Sequence, residues 1–522
     1  MMRQLFGRLK AATLLMFMAL PAFAGSTKLE AESAQHSNCT IVADSKYSGG
    51  KALKMTESTA RVTFILHVEQ KGKYAVYVGG DGIGGEKEVN CSVNGNGCLF
   101  KVNVYGEVEV GTFVMNKGDN TIVITPSWTW FDIDYVRIEE NTDTLTFDIA
   151  ALPVDKEATD AAKGMYRFLL DNFGMKTISG MMTGDMGSDT GNVTQHSDMQ
   201  AVYNVSGKYP ALVGFDFMNA TGRMEADNWY KAYTRSCIRL AKDTYRRGGL
   251  PAFTWHWRDP SRSTDAFYTS DTGMKISSAM NADGSWNEAS PLYKNLIKDI
   301  DTVADYLLEL QSEGMACIFR PLHEANGGWF WWGREGAAPF RKLYKLIFDE
   351  MVNVKGVHNV IWVWNADNGG KEWNPGNDLY DVVSADIYNA DYDYSSSYVT
   401  FDNLKVLTGG KKIIALSENG PIPDIDHEVE DGAVWSWWMP WYNTWGGNFV
   451  GKTSREEWQK CMNDSRVITL EDLSEGWGAY TAIAAATKKG DVAHYIFDLN
   501  GRRLSAAPAK RAYITNGVKV IK

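Results

Sequence analysis

The stretch Met315-Ala316-Cys317-Ile318-Phe319-Arg320-Pro321-Leu322-His323-Glu324 begins apolar and ends in a polar cluster, and Ala325-Asn326-Gly327-Gly328-Trp329-Phe330-Trp331-Trp332-Gly333 follows it directly. The apolar residues predict a buried strand that ends at the polar cluster. Apolar surroundings raise the pKa of a carboxyl group because they disfavour the anion. Aromatic planes offer a sugar ring a surface for stacking. Together these features indicate that Glu324 is a general acid that acts on a carbohydrate.

Strand-like and helix-like runs alternate on both sides of this stretch, from about residue 150 to residue 470. Eight apolar runs predict strands, at residues 177–181, 211–216, 250–255, 316–319, 360–364, 382–387, 412–416 and 433–437. Helix patterns lie between several of them, at residues 229–247, at residues 292–311 and from Pro339 onward. Eight alternating β/α units fit a closed (β/α)8 TIM barrel. A doubly wound open sheet is the alternative, and the number of strands favours closure.

Residues 26–140 have a different, all-β pattern. Apolar and polar residues alternate over residues 61–68, 73–78 and 121–125, and Gly and Asn residues punctuate the runs. Short strands at this spacing predict a small β-sandwich, jelly-roll-like in type. Cys91 and Cys98 flank Asn94-Gly95-Asn96-Gly97, which is a hairpin signal. A disulfide between them and two unpaired thiols both remain open.

The first 24 residues read as a secretory signal peptide. Arg3, Arg8 and Lys10 form a basic region, residues 11–20 are apolar, and Ala22-Phe23-Ala24 offers small residues at the cleavage positions. A membrane anchor is the alternative, but the apolar run is too short to span a bilayer. We therefore expect a secreted, periplasmic or cell-surface protein.

The charge and hydropathy of the chain limit its partners. The formal net charge of the 522 residues is −11, so nucleic-acid phosphates would be repelled, whereas a neutral polysaccharide would not. No later segment is apolar enough to cross a membrane, and we expect a monomer. Residues 480–522 form a short, β-like C-terminal tail. The tail resembles the sorting tails of type IX secretion, and a small hairpin without a sorting role is the alternative.

A second glutamate completes the predicted catalytic pair. Glu418 lies in Ser417-Glu418-Asn419-Gly420 and follows the seventh predicted strand, while Glu324 follows the fourth. Strand ends of a TIM barrel meet at one rim, so the two carboxylates can face each other there. Retaining glycosidases place such a pair roughly 5 Å apart, one as acid/base and the other as nucleophile. We assign Glu324 as acid/base and Glu418 as nucleophile, with no cofactor for catalysis.

Two other hydrolase mechanisms lack their motifs. His323-Glu324 is not followed by a second histidine at the spacing that a zinc-binding helix requires. No Gly-x-Ser-x-Gly turn with a downstream acid and histidine is evident, so a serine nucleophile is poorly supported.

The residues from about 150 to 470 resemble glycoside hydrolase family 26. The resemblance rests on Arg320-Pro321-Leu322-His323-Glu324 with Asn326-Gly327-Gly328-Trp329-Phe330-Trp331-Trp332-Gly333, and on Ser417-Glu418-x-Gly420. Ala325 stands where the family usually has Met. The resemblance implies a retaining endo-β-1,4-mannanase that hydrolyses mannan, glucomannan or galactomannan.

Two kinds of alternative remain beside the implied mannanase. Sister activities of the family are a β-glucanase, a β-1,3-xylanase and an exo-enzyme that releases mannobiose. A non-catalytic polysaccharide-binding protein is the alternative from another class.

The same resemblance implies which residues hold the substrate. In Trp255-His256-Trp257, His256 is expected to contact sugar near the cleavage point, and Tyr388 of Asp386-Ile387-Tyr388 to donate its hydroxyl to Glu418. His323 supports substrate and catalytic geometry, and Trp329 borders the cleavage point. One of three tryptophans should form the floor of the subsite in which the sugar is distorted. The residues expected to bind substrate are thus His256, Trp257, His323, Trp329, Tyr388, Trp435 and Trp437, with Trp438 as the third candidate for the floor.

The all-β segment resembles carbohydrate-binding modules of family 35. The matching features include Leu29-Glu30-Ala31-Glu32, Gly72-Lys73-Tyr74 and Ile133-Asp134-Tyr135-Val136. By resemblance, Glu30, Glu32 and Asp134 are candidate ligands of a structural Ca²⁺, and carboxylate oxygens suit that ion. A solvated edge strand is the alternative. Trp128 and Trp130 lie in a terminal loop and are the candidate sugar-stacking residues of the module.

Overall fold

The computed structural model describes residues 26–127, 130–141, 145–367 and 369–473, and four short strands between residues 496 and 520. The chain divides into two compact units, Met1–Asp143 and Thr144–Lys522. The predicted signal peptide lies outside the described residues, as does much of the predicted tail. Among the described residues, no helix combines the length and the apolar character that a membrane span requires.

The N-terminal unit is a two-sheet antiparallel sandwich. Within residues 26–127 and 130–141 its strands are β1 (Thr27–Glu30), β2 (Gln35–Ser37), β3 (Thr40–Ala43), β4 (Lys51–Met55), β5 (Arg61–Val68), β6 (Gly72–Gly82), β7 (Lys87–Val93), β8 (Asn96–Val102), β9 (Gly106–Met115), β10 (Gly118–Pro126) and β11 (Phe131–Glu140). One sheet has the order β3-β4-β11-β6-β9, with β1 also paired to β11, and the other has the order β2-β5-β10-β7-β8.

Alternation of apolar residues explains the sandwich. Along β5, Val62, Phe64 and Leu66 are buried while the residues between them face outward, as the period of a half-buried strand requires. The predicted hairpin joins β7 to β8, and its Asn94 and Gly95 both have positive φ values, which matches the twist of the flanking strands. Cys91 and Cys98 face each other in register, and both are free thiols.

The second unit contains the predicted parallel barrel. Its strands are β12 (Thr177–Met182), β13 (Leu212–Asp216), β14 (Leu250–Trp255), β15 (Cys317–Pro321), β16 (Val360–Asn365), β17 (Val382–Ile387), β18 (Ile413–Asn419) and β19 (Trp437–Trp438). Neighbours in the chain pair in parallel from β12 to β18, and β19 pairs with β12. A parallel bridge between Asn419 and Pro440, and a hydrogen bond from the Ser436 N–H to the Ile414 carbonyl, join β18 to β19 and close the barrel.

Eight α-helices are present among residues 145–367 and 369–473. They are α1 (Asp160–Asn172), α2 (Ser197–Ser206), α3 (Asn228–Arg246), α4 (Pro291–Ser312), α5 (Ala337–Phe348), α6 (Tyr398–Thr408), α7 (Ile425–Asp431) and α8 (Arg455–Met462). Local sequence sets their ends. The Asp227 side chain accepts from the first N–H groups of α3, and Ser290 caps α4 ahead of Pro291 in the first helical position.

The structure follows the predicted elements closely, with one shift. Helices α3 and α4 lie within about one residue of the prediction, and α5 begins two residues before Pro339. The eighth strand, expected at residues 433–437, is only Trp437–Trp438. A further short strand, β20 (Val467–Ile468), pairs with β12 on the outside of the eight. The barrel core consists of apolar side chains from every strand, including Ile178, Leu212, Ala252, Ile318, Val363, Val382, Ala415 and Trp437.

The described part of the tail consists of β21 (Ile496–Asp498), β22 (Arg503–Leu504), β23 (Tyr513–Thr515) and β24 (Val518–Val520). These strands form an antiparallel sheet in the order β22-β21-β23-β24. This is the β character that the sequence predicts for the tail. Its sorting role stays a prediction.

Closure of the barrel depends on a glycine in the first strand. A Cβ atom at Gly180 would lie 2.5 Å from the backbone oxygen of Trp438. We expect Gly180→Ala to push β12 away from β19 and to lower the free energy of unfolding by about 1–3 kcal/mol, measured by denaturant titration. Gly273→Ala is the matched control, because nothing lies within 4 Å of its Cβ position. Equal stability of the two variants would contradict this account of closure.

Candidate active site

The backbone turns sharply where β15 ends, and this turn presents Glu324. Leu322 and Glu324 both adopt left-handed conformations, with φ of 54° and 52°. Non-glycine residues in this region are strained by of order 1–3 kcal/mol and occur often at functional sites. The Glu324 N–H donates to the Asn365 side-chain oxygen at 2.6 Å, which anchors the strained residue to the end of β16. Gly333 is required as well, because a Cβ there would lie 1.8 Å from the Ala325 oxygen.

The aromatic cluster after Glu324 separates into one exposed ring and three buried ones. Trp329 is 45% exposed, and its Nε1–H donates to Glu324 Oε2 at 2.8 Å. Phe330, Trp331 and Trp332 are buried. The Trp332 indole donates to the His323 carbonyl at 2.8 Å, so the buried rings hold the loop in place. Trp329 therefore borders Glu324, as the sequence predicts.

Glu418 lies near the end of β18 and is held by donors on both carboxylate oxygens. The Arg320 guanidinium donates to Oε1, and the Tyr388 hydroxyl donates to Oε2 at 2.6 Å. The predicted hydrogen bond from Tyr388 is therefore present. Donors of this kind stabilise the carboxylate anion. The side chain is 4% exposed and lies at the carboxyl end of the parallel strands, which is the end where Glu324 also lies.

Three carboxylates converge at this rim. One oxygen from each of Glu324, Asp386 and Glu418 lies within 4.8 Å of the other two. Arg320 pairs with Asp386 at 2.7 Å as well as with Glu418, and it is itself 3% exposed. The amide of Asn365 donates to Asp386 at 3.0 Å, so the same side chain that anchors Glu324 also orients Asp386.

The environments of the two predicted catalytic glutamates differ. Burial and the negative charge of Glu418 raise the pKa of Glu324, and the hydrogen bond from Trp329 opposes this rise only in part. Glu418 instead faces a buried cation and a hydroxyl donor. A neutral carboxylic acid and a carboxylate can thus stand side by side, which is the arrangement that acid/base and nucleophilic roles require.

A further acidic side chain, Asp367, lies beside this group. Its Oδ1 accepts from the Asp386 N–H at 2.8 Å. Burial and the nearby Glu324 raise the pKa of Asp367 to about 7. The sequence analysis did not identify Asp367, because it lies in a loop two residues after β16 rather than within a motif.

Both predicted histidines are buried behind the glutamates. His256 Nδ1 lies 2.6 Å from Asp216 Oδ2, and the Nε2 atoms of His256 and His323 are 3.1 Å apart. Sequence reasoning missed Asp216. The signal that could have found it is the one that identified Glu418, a carboxylate at the end of an apolar barrel strand.

Three predicted substrate contacts are corrected by the structure. Trp257 is fully buried, stacks on Trp255 at a centroid distance of 4.1 Å and donates its Nε1–H to Asp299. Trp435 and Trp437 are also buried, and the indole of Trp435 donates to the Ser396 carbonyl at 2.8 Å. The third candidate, Trp438, is fully buried too. All four rings are therefore core residues in this structure.

Half-buried and exposed aromatic rings follow the eighth strand by a few residues. The centroid of Trp441 lies 5.9 Å from that of His256, Tyr442 lies 5.2 Å from Trp441, and Trp445 lies 5.6 Å from Tyr442. Trp445 is 56% exposed. The buried carboxylate of Asp198 fixes the loop by accepting from the backbone N–H groups of Asn443 and Thr444. The sequence predicted substrate contacts at other aromatic residues of this segment, because the predicted eighth strand begins and ends too early in the chain.

The structure describes all but one of the residues that the sequence predicts to bind ligands in the N-terminal unit. Trp130 is 60% exposed, and Trp128 lies outside the described residues. Glu30 Oε2, Glu32 Oε2 and Asp134 Oδ1 are buried and lack a hydrogen-bond partner. Such orphaned carboxylate oxygens fit the requirements of a Ca²⁺ ligand set. The three residues do not bring their ligand atoms within 4.8 Å of one another; in the described part of the chain, only the carboxylates at the barrel rim do so.

Comparison with known proteins agrees with this geometry. Residues 154–472 match the model of Glycosyl hydrolase family 26, and residues 27–141 match that of Carbohydrate binding module (family 35). The chain is 32% identical to mannan endo-1,4-beta-mannosidase B of Piromyces sp, over 88% of this chain and 79% of that protein. It is 30% identical to a mannan endo-1,4-beta-mannosidase of Thermothelomyces thermophilus, over 88% of this chain and 95% of that protein.

A solved structure combines the same two kinds of module. It is the GH26-CBM35 beta-(1,4)-mannanase of Podospora anserina, which is 27% identical, with a TM-score of 0.57 over 87% of this chain and 100% of that one. Because the family model covers more than half of the 522 residues and includes both rim glutamates, the chain belongs to glycosyl hydrolase family 26 and is a glycoside hydrolase that carries a family 35 carbohydrate-binding module ahead of its barrel.

Proposed function

We propose that this protein is an exported endo-β-1,4-mannanase that cleaves mannan, glucomannan or galactomannan with retention of configuration. The observation that carries the proposal is the pair of rim glutamates, whose carboxylate oxygens approach within 4.8 Å and whose surroundings differ. Retaining glycosidases separate their carboxyl groups by about 5–5.5 Å, whereas inverting ones need about 6.5–9.5 Å to admit a water molecule.

In the first step, Glu324 protonates the departing glycosidic oxygen while Glu418 attacks the anomeric carbon. The Trp329 indole donates a hydrogen bond to Glu324 Oε2, so the Oε1 atom is left to carry the proton. Arg320 and Tyr388 hold Glu418 as an anion with its oxygens aimed along fixed directions. The nucleophile is therefore ionised and oriented before the sugar arrives.

In the second step, Glu324 takes a proton from the water that releases the sugar. Once Glu418 is esterified it no longer carries a negative charge, so one of the causes that raise the pKa of Glu324 disappears. The pKa of Glu324 then falls, and the same residue becomes a base. No cofactor takes part in either step.

We propose mannan as the substrate because of the relatives and because of the aromatic rings that follow the eighth strand. Both curated relatives named above are mannan endo-1,4-beta-mannosidases. A line of rings from Trp441 to the exposed Trp445 extends away from His256, and such a line suits a chain of several sugar units. A polymer bound along it would be cut at internal bonds, which favours an endo mode. The β-glucanase, β-1,3-xylanase and exo-acting alternatives are outcomes of the test below.

The N-terminal module would keep the enzyme near its polysaccharide. A tethered binding module raises the effective concentration of the catalytic unit at the substrate. The exposed Trp130 offers the module a stacking ring. Export is proposed from the leader-like first 24 residues, with the protein secreted, periplasmic or on the cell surface, and we expect it to act as a monomer.

We also propose a structural Ca²⁺ in the N-terminal module, held by Glu30, Glu32 and Asp134. The support is that each residue has a buried carboxylate oxygen without a partner. Their other oxygens are partly engaged, since Ser48 donates to Glu30 at 2.7 Å and to Asp134 at 2.9 Å. Burying unpaired carboxylates is costly unless a cation compensates them. The bound ion would fix both ends of the module to each other.

Product analysis on mannan tests the proposed function. We expect oligosaccharides of mixed length early in the reaction, little release from β-glucan or xylan, and a first product whose new reducing end is the β-anomer. Reducing-sugar assays, chromatography and proton NMR measure these three properties. Mannobiose as the sole early product would indicate an exo mode, and an α-anomer would exclude retention.

Variants of the two glutamates are the controls in that test. Glu324→Ala and Glu418→Ala should each lose at least about 100-fold in kcat on mannan. On an aryl β-mannobioside with an activated leaving group, Glu324→Ala should keep its first step, because that group departs without a proton. Equal losses of the two variants on the activated substrate would contradict the assigned roles.

Trp445→Ala tests the aromatic line. One stacking contact contributes about 0.5–1.5 kcal/mol, so KM for mannohexaose should rise roughly 3- to 10-fold. Kinetics on the short aryl β-mannobioside should not change. Tyr203→Ala, which removes a 40% exposed ring on α2, is the control. An unchanged KM for the long substrate would remove Trp445 from the binding surface.

Removal of Ca²⁺ tests the metal proposal. We expect a chelator to lower the midpoint of the thermal transition of the N-terminal module, because ligand binding to the folded state stabilises it by mass action. Calorimetry before and after adding Ca²⁺ measures the shift. Asp134→Asn should abolish the response to Ca²⁺, whereas Asp119→Asn, at an exposed position of β10, should preserve it. No response in the unaltered protein would contradict the site.

A further inference from the structure

A continuous line of buried polar side chains runs behind the catalytic glutamates. Asp216 ends β13, Thr254 lies in β14, and His256 and His323 follow β14 and β15. His256 Nδ1 is 2.6 Å from Asp216 Oδ2, the two Nε2 atoms are 3.1 Å apart, and His323 Nδ1 is 3.3 Å from the Thr254 hydroxyl. All four residues are at most 7% exposed. Water therefore contributes little to their hydrogen bonding.

Asp216 can only accept in this line. Its Oδ1 accepts from the backbone N–H groups of His256 and Met218, at 3.1 and 2.9 Å. These donors mark it as a carboxylate anion, so its Oδ2 accepts the Nδ1–H of His256. One ring nitrogen of His256 is thereby assigned as a donor.

At the other end of the line, Thr254 determines which nitrogen of the His323 ring carries the proton. The Thr254 hydroxyl lies 3.4 Å from the Arg320 carbonyl, to which it donates, so its oxygen is free to accept from His323 Nδ1–H. A neutral His323 with its proton on Nδ1 has an acceptor at Nε2. The facing Nε2 of His256 must then donate as well. His256 carries protons on both nitrogens and is a cation, and His323 is neutral.

The charges around His256 favour the same assignment. Asp216, Glu418 and Glu324 supply negative charge, while Arg320 is the opposing cation and His323 is the uncharged neighbour. Burial is the largest single influence and lowers the pKa of His256, but the charge and hydrogen bond of Asp216 together with the charge of Glu418 outweigh it, and the pKa is raised above the ordinary value. Burial, His256 and Arg320 lower the pKa of His323 well below its ordinary value.

We propose that Asp216 is a positioning residue that keeps His256 doubly protonated and aims its Nε2–H at His323, so that a fixed cation borders the paired glutamates. The proposal deepens the proposed mannanase function and rests on it for its kinetic consequences. Asp216 is fully buried, and its carboxylate oxygens bond to His256 and Met218. It acts through His256, which sets the orientation and the proton of His323, the neighbour of Glu324 in the chain.

The cation has a defined effect on the acid/base residue. The positive charge of His256 lowers the pKa of Glu324 and so limits the rise that burial and Glu418 cause. Without it, the pKa of Glu324 rises further. Glu324 must be protonated in the first step, so the alkaline limb of the pH profile would move to higher pH. Glu324 would then be a poorer base in the second step, which lowers kcat.

Asp216→Asn tests the proposal in the full-length protein. We expect kcat on mannan to fall about 10- to 100-fold, as for other residues that orient a catalytic side chain, with KM changed less than about 3-fold. The alkaline limb of kcat/KM should move to higher pH. In protein labelled with nitrogen-15 histidine, NMR at about pH 8 should show both nitrogens of His256 protonated in the unaltered chain but not in the variant. A His256→Gln variant assigns the signal among the eight histidines.

Two further variants separate positioning from stability. Asp299→Asn alters another fully buried carboxylate, which pairs with Arg262 and Trp257 rather than with a histidine. It should lower stability but leave the pH profile and the His256 signal unchanged. Thr254→Val removes the acceptor of His323 Nδ1–H, and it should change the tautomer of His323 even if Asp216→Asn does not fold.

These experiments test the role of Asp216 and the proposed mannanase activity separately. A neutral His256 in the unaltered protein, or an Asp216→Asn variant with unchanged kcat and pH profile, would overturn the proposal while mannan hydrolysis still supports the proposed function. If the unaltered protein does not hydrolyse mannan, the proposed function fails, and the NMR signal still decides the proton state of His256.

Discussion

The arrangement of carboxylates at the barrel rim depends on the ion pairs of the buried Arg320 guanidinium. It pairs with Asp386 on β17 and with Glu418 on β18 while it projects from β15, so it connects three strands of the barrel at their carboxyl ends. Without this cation, two buried carboxylates would repel each other across a gap of less than 5 Å. Removing one partner of a buried ion pair costs about 3–5 kcal/mol, because the remaining charge is left unpaired.

The same cation makes the two glutamates unequal. Arg320 and Tyr388 donate to both oxygens of Glu418, whereas the Glu324 carboxyl group receives one indole donor, from Trp329. Two identical side chains thus stand in different surroundings, as an acid/base and a nucleophile require. The strained turn at Leu322 and Glu324 serves this arrangement, since it brings the acid into the reach of Glu418, and Asn365 holds it there.

Sequence patterns predicted the strands with high accuracy where the runs were apolar and long. Residues 250–255 and 382–387 match β14 and β17 at both ends. The eighth strand was misplaced because residues 433–441 are rich in tryptophan throughout, and composition does not reveal which ring faces the rim. Trp435 and Trp437 were consequently assigned to the substrate, whereas Trp441 is the ring of this segment that contacts His256, at a centroid distance of 5.9 Å. Trp257 was assigned to the substrate because it follows His256 directly, but its indole is buried and donates to Asp299.

The sequence by itself determined the barrel, the sandwich and the two glutamates, because alternating apolar runs and strand-end carboxylates are local patterns that can be recognised without the tertiary structure. Only the tertiary structure decided which other side chains meet them. Asp216, Asn365 and Asp367 are separated from Glu324 by between 41 and 108 positions in the chain, and no local pattern connects them. They become neighbours because closing a parallel barrel brings all of its strand ends to one rim, where burial and charge then fix the proton on each group.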